Sequence, residues 1–207
     1  MKRNKVYVSV DVEASGRTPG KYSMLSFGAC IVGDEEKTFY RELKPISGNA
    51  DYDAMKVGSL GLYCCRGGPQ ELDPNSDAFD PSAVLERLEK EGEEPAKAMQ
   101  DFAEWIKENS EGREVEIAAW PIIFDGMYIS WYFDNFYDDD NPFSYFGTDM
   151  TSVYRGAVGK MNARLGEVSV DDSRNPAHNA LEDAVHQSKQ FGKVLGIAKQ
   201  NRKKSGI

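Results

Sequence analysis

The chain has 207 residues, with 25 Lys and Arg against 34 Asp and Glu, a formal net charge of −9 at pH 7, 40% hydrophobic and 11% aromatic residues. That length fits one generous domain and that composition excludes global disorder, while the lack of any apolar run of about 18 residues excludes a transmembrane helix. The acidity argues against a protein that grips long nucleic acid by overall charge, because phosphate affinity rests on Lys and Arg.

Met1-Lys2-Arg3-Asn4-Lys5 passes directly into alternating residues rather than an apolar leader block. A soluble, cytoplasmic protein with no membrane association is therefore expected, with Cys30, Cys64 and Cys65 as reduced thiols. Residues 5–13 alternate, 23–32 form a nearly continuous apolar run, and 37–43 alternate again. Gly16–Lys21 and Gly33–Glu36 supply the turns, which predicts a meander of three antiparallel strands with the middle one buried on both faces.

Residues 44–80 are rich in Gly, Pro, Asn and Asp, with a short helix expected around 52–60. Pro81–Glu91 and Pro95–Asn109 read as helices, the second with Ala98, Phe102, Trp105 and Ile106 on one stripe. A short strand is expected at Glu114–Trp120, an aromatic-rich helix at about 124–137, and another short strand at Tyr145–Thr148. Asp149 or Thr151 can cap the helix after it. A last helix over about 179–199 presents Leu181, Ala184, Val185, Ser188, Phe191, Gly192 and Leu195 on one side. The order of elements implies an α/β fold: a mixed five-stranded sheet with helices on its faces, in one domain spanning 1–207. Its core runs over about 5–199, with an irregular acidic excursion at about 61–94.

Three segments carry candidate chemistry. Asp11 and Glu13 close the first strand, and residues two apart share a face. Two adjacent carboxylates at the end of an apolar strand repel and resist desolvation, whereas a hard divalent cation suits their oxygens. Asp125 follows the apolar run Ala118–Phe124, where a sheet meets a helix. His178 precedes the last helix and Asp183 lies one turn into it, off the stripe that starts at Leu181. His186 and the aromatic set Tyr128, Trp131, Tyr132 and Phe133 read as structural, and the acids from Asp134 to Asp140 lack the glycine and terminal Glu of a calcium loop.

Taken together, Asp-x-Glu-x-Ser-Gly on the first strand, Phe-Asp about 110 residues later and His-x-x-x-x-Asp near the C-terminus resemble the motifs of the DEDDh 3′-5′ exonucleases. The resemblance runs from about residue 5 to 195 and implies a ribonuclease H-like fold. It also implies two divalent cations, Mg²⁺ or Mn²⁺, held by Asp11, Glu13, Asp125 and Asp183. In such an arrangement Asp11 bridges the ions, Glu13 and Asp183 complete the nucleophile-side site, Asp125 supports the second ion, and His178 takes the proton from water. The backbone of Ala14, Ser15 and Gly16 is expected along the terminal nucleotide. The family's frequent His-Asn pair ahead of the second motif is Trp120-Pro121 here, which leaves the metal acids intact and alters the local substrate contacts.

The resemblance implies a partner with a free 3′ end, single-stranded RNA or DNA or a short oligonucleotide, hydrolysed to nucleoside 5′-monophosphates. A monomer and a homodimer both fit it. The alternative is a non-catalytic nucleic-acid-binding or scaffold module on the same fold, against which the intact acids count.

Overall fold

Alternation along the first segment produces β1 (Val6–Ala14), whose Val6, Val8, Val10, Val12 and Ala14 side chains enter one apolar cluster. This computed structural model describes residues 5–172, 174 and 178–204, the last by its backbone alone. Lys2 and Arg3 of the basic start and Pro176-Ala177 ahead of His178 lie outside the described residues. β2 (Met24–Ile31) is buried at every position, as the apolar run predicts, and lies antiparallel between β1 and β3 (Asp34–Glu42). The second turn is tighter than expected: Asp34 already pairs with Ile31, because Gly33 adopts φ +86° and reverses the chain beside Val32.

β4 (Val115–Ala119) runs parallel to β1, and β5 (Gly147–Asp149) parallel to β4, giving the order β3-β2-β1-β4-β5. This is the mixed five-stranded sheet expected. β5 starts later than the predicted Tyr145, since pairing begins only at Gly147 opposite Ile117, and Tyr145 and Phe146 stay exposed.

The helices are α1 (Tyr52–Gly58), α2 (Pro81–Glu91), α3 (Pro95–Ser110), α4 (Ile122–Phe136), α5 (Met150–Val158) and α6 (Ala180–Lys204). Of the two candidate caps for α5, Asp149 takes the role, its side chain accepting from the Ser152 N–H at 2.7 Å. α3 and α4 cover one face of the sheet, where Phe102 packs against Phe27, Phe39 and Phe133 with ring centroids 5.0–5.7 Å apart. Tyr128, Tyr132 and Phe133 are buried in this cluster and Trp131 packs on it, as their helical spacing predicts. α5 and α6 cover the other face around Ala118, Met150, Phe191 and Val194. No described helix is long and apolar enough to cross a membrane.

Two expectations are corrected. The excursion over 61–94 is not simply irregular: 3₁₀ turns at Tyr63–Cys65 and Gln70–Leu72 lead into α2. Leu62, Cys65, Leu72, Phe79, Val84, Leu85 and Leu88 close a second cluster on Leu25 and Met55, with the acids outside. Sparse apolar residues among Gly, Pro and Asp suffice because they converge on one spot. The phase of α6 also differs. Its sheet-facing side carries Ala180, Asp183, Ala184, Gln187, Ser188 and Phe191, while Leu181 and Val185 are only partly buried. The helix lies close to the sheet, with the Ser9 hydroxyl donating to the Ala184 carbonyl at 2.8 Å. Small and polar residues therefore occupy the contact, and Asp183 is 7% exposed rather than solvated.

Candidate active site

The odd-numbered residues of β1 face α6, and this puts Asp11 and Glu13 between sheet and helix. Asp11 lies opposite Gly28 of β2. A Cβ at Gly28 would fall 2.4 Å from the backbone of Ala180 and Leu181, so the absent side chain is what lets the start of α6 lie over the sheet. That approach carries Asp183 to the acids of β1.

The beginning of α6 is fixed from two sides. Asn179 accepts from the Glu182 N–H at 3.2 Å, a helix cap, and its amide donates to the Gly61 carbonyl at 2.8 Å. A Cβ at Gly61 would sit 2.3 Å from the His178 carbonyl oxygen, so the 61–94 segment abuts the motif directly. His178 itself adopts φ +67°, and its backbone N–H donates to Asp183 Oδ2 at 2.8 Å. This sparsely populated backbone region is tolerated where surrounding contacts over-determine it.

Asp125 enters from the first turn of α4. β4 ends at Ala119, so the part of β1 beyond Ser9 has no partner on that side. The free Val12 N–H donates to Asp125 Oδ1 at 3.1 Å, while Asp125 Oδ2 is buried with no partner among the described residues. One turn after Asp183, the Gln187 amide donates to Asp11 Oδ1 at 2.8 Å. Arg174 donates to Asp183 Oδ1 at 2.6 Å and pairs with Asp172.

All five predicted residues therefore meet. Burial, and then the charge of Asp183, pushes the Asp11 carboxyl up to about 8, with Gln187 and Arg174 pulling the other way. Glu13 is held well above the ordinary carboxylate range by burial and by Asp11, Asp183 and Asp125. Asp125 is raised by burial and by Asp11. Ligand atoms of Glu13, His178 and Asp183 lie within 4.8 Å of one another. Four mutually repelling acids with an orphaned buried oxygen fit a hard divalent cation.

Ala14, Ser15 and Gly16 form a buried wall beside Glu13. Gly16 has a structural cause there, since a Cβ would strike the Tyr22 ring at 2.3 Å. The Ser15 N–H donates to Ser23, its carbonyl accepts from Asp51, and the Gly16 carbonyl accepts from Tyr128. Sequence reasoning missed Gly28, Gly61, Arg174 and Gln187. Only Gln187 left a local signal, standing four residues after Asp183 on the same helical face.

Residues 6–195 match the profile of the family described as the 3′-5′ exoribonuclease Rv2179c-like domain. The chain belongs to that family. It is also 36% identical to the 3′-5′ DNA exonuclease Cap18 of Escherichia coli over 204 residues, covering 96% of each. Among solved structures, this Rv2179c-like exonuclease is similar to the nuclease domain of 3′hExo, a DEDDh family member bound to rAMP. The TM-score is 0.63 at 12% identity, covering 95% of this chain and 92% of that one. A zinc-bound Escherichia coli ExoI–ssDNA complex gives 0.57 at 17% identity, covering 96% of this chain and 41% of that one. These likenesses show the fold, the ribonuclease H-like architecture of DEDDh exonucleases, and with the family they make the chain a 3′-5′ exonuclease.

Proposed function

We propose that this exonuclease depends on two divalent cations, Mg²⁺ or Mn²⁺, and removes nucleoside 5′-monophosphates from the 3′ end of single-stranded or short nucleic acid. The observation that carries this reading is the convergence of Asp11, Glu13, Asp125 and Asp183 in one buried cluster. These four carboxylates would hold the ions, which supply a lowered water pKa and charge neutralisation at phosphate.

The residues divide the remaining work. His178, exposed at the mouth of the cluster, accepts the proton of the attacking water. Water oxygen bonds to phosphorus, the bond to the 3′ oxygen of the preceding nucleotide breaks, that oxygen takes up a proton from solvent as the new 3′ hydroxyl, and the released nucleoside keeps its 5′ phosphate. Asp183 ties His178 to the acids through the backbone N–H, and Gln187 holds Asp11 in one orientation. The wall of Ala14, Ser15 and Gly16 packs on the terminal nucleoside by shape, since its Ser15 groups and Gly16 carbonyl are already hydrogen-bonded. RNA is the first substrate to test, given the family description, and DNA the second, given the named activity of Cap18.

The test is a panel of 5′-labelled RNA and DNA oligomers, from dinucleotides upward, incubated with Mn²⁺. A ladder receding from the 3′ end is expected, absent in EDTA. No shortening with either sugar, or shortening that persists in EDTA, overturns the proposal. His178→Ala should slow the reaction by about 10²–10⁴-fold, the scale of a lost general base, while the Mn²⁺-induced rise in melting temperature persists. Loss of that rise would make His178 a metal ligand instead.

A further inference from the structure

A cavity of about 380 Å³ opens beside the acids, lined in part by Trp120, Val168, Asp172, Arg174, His186 and Gln187. It is joined to the active site by two bonds already described: Gln187 to Asp11 and Arg174 to Asp183. The strand register gives the same placement. Ser9 lies opposite Ala118 in the parallel β1–β4 pair, and Trp120 follows just past the end of β4, at the same end of the sheet as Asp11. The wall of Ala14–Gly16 continues β1 past Glu13 and meets α1, away from β4. The acids thus stand between the Ala14–Gly16 wall and the Trp120 cavity.

We propose that the Trp120 cavity receives the nucleoside on the 5′ side of the scissile phosphate, with the Trp120 indole as its stacking face. The proposal rests on the exonuclease reading above: a phosphodiester laid across the acids has one nucleoside on each side, and the β1 wall takes the terminal one. The cavity falls in the size range of small-ligand sites, about 300–1,000 Å³. Trp120 is 42% exposed at the end of an otherwise buried run. An exposed aromatic face next to a phosphate site is the ordinary means of holding a base without reading its sequence.

The polar lining supports the same ligand. Gln187 is 6% exposed, yet its Oε1 has no hydrogen-bond partner among the described residues, while His186 Nδ1 faces the Asp172 carboxylate at 3.6 Å. A buried polar atom without a partner is destabilising, and a base edge or sugar hydroxyl would satisfy Gln187 Oε1. Asp172 sits in the lining with Arg174 bound to it at 2.6 Å. That carboxylate disfavours a second anion, so the recess suits a base and sugar more than another phosphate.

The test compares wild type, Trp120→Ala and Trp120→Phe on an eight-residue oligomer and on the same oligomer with an abasic penultimate position. Both hydrolysis in Mn²⁺ and fluorescence-anisotropy binding in Ca²⁺ are measured. Wild type should lose about ten- to hundredfold in kcat/KM and in affinity when the penultimate base is missing, the range expected for one stacked base. Trp120→Ala should be equally poor on both oligomers, Trp120→Phe should recover most of the difference, and an abasic terminal position should cost both proteins alike. A Trp120→Ala protein that still discriminates the abasic penultimate position overturns the subsite. Discrimination in binding without any hydrolysis by wild type would keep the subsite and overturn the nuclease reading instead.

Discussion

β1 has two buried faces of opposite chemistry. On one, Val6, Val8, Val10, Val12 and Ala14 pack against the aromatic cluster of α3 and α4. On the other, Ser9 and Glu13 are buried to a similar degree, but Glu13 and its neighbour Asp11 are surrounded by further acids. The apolar face gains stability from burial at any pH. The acidic face opposes ionisation of its own carboxylates, because desolvation and like charge both raise its cost. The same strand thus contributes stability on one side and, on the other, the acidic cluster proposed above as the cation site.

Breaking each face should have separable effects. Phe102 lies at the centre of the apolar side, and Phe102→Ala should destabilise by about 3–5 kcal/mol, with activity per folded molecule little changed. Chemical denaturation beside a specific-activity assay checks both. Gly28→Ala acts at the junction of sheet and α6, where the added methyl collides with helix backbone. Overpacking of this kind costs about 1–3 kcal/mol, and here hydrolysis should fall further than stability, because Asp183 is displaced from Asp11. A variant as active as wild type would sever the link between Gly28 and the site.

The smallest effect sharpens the comparison most. Asp11 titrates up to about 8 in the metal-free fold against an ordinary value of 3.8, so the folded state holds a proton that the unfolded chain has lost. The resulting stabilisation is complete below about pH 4 and disappears as pH rises toward 8. Metal-free protein should therefore melt lower at pH 8.5 than at pH 5, by about 2–4 °C for each kcal/mol lost. Asp11→Asn should flatten that slope, and an unchanged slope would show that Asp11 is not its source.

Local periodicity made much of this legible. Alternation in β1 placed Asp11 and Glu13 on one face, and an apolar run ending in Phe124 set Asp125 at a helix start. The phase of α6 was not legible, because Leu181 and Val185 outrank Ala180 and Ser188 as hydrophobes while the contact with β2 demands small residues. Gly28 and Gly61 carried no signal, since their role depends on backbone arriving from over a hundred residues away. Gly16 invited a ligand-based explanation, whereas the Tyr22 ring packed against it already requires a glycine there. The acids of 71–94 disguised a packed cluster, because charge on the outside dominates composition while Leu62, Leu72, Phe79 and Leu88 do the packing.

The most direct measurement is a thermal melt of wild type and Asp11→Asn at pH 8, without metal and with saturating Mn²⁺. Without metal, Asp11→Asn should melt above wild type. With Mn²⁺, wild type should rise by several degrees and overtake a variant that gains little. Equal stabilisation of both proteins by Mn²⁺, or none of either, would contradict the assignment of the acidic face of β1 as the cation site.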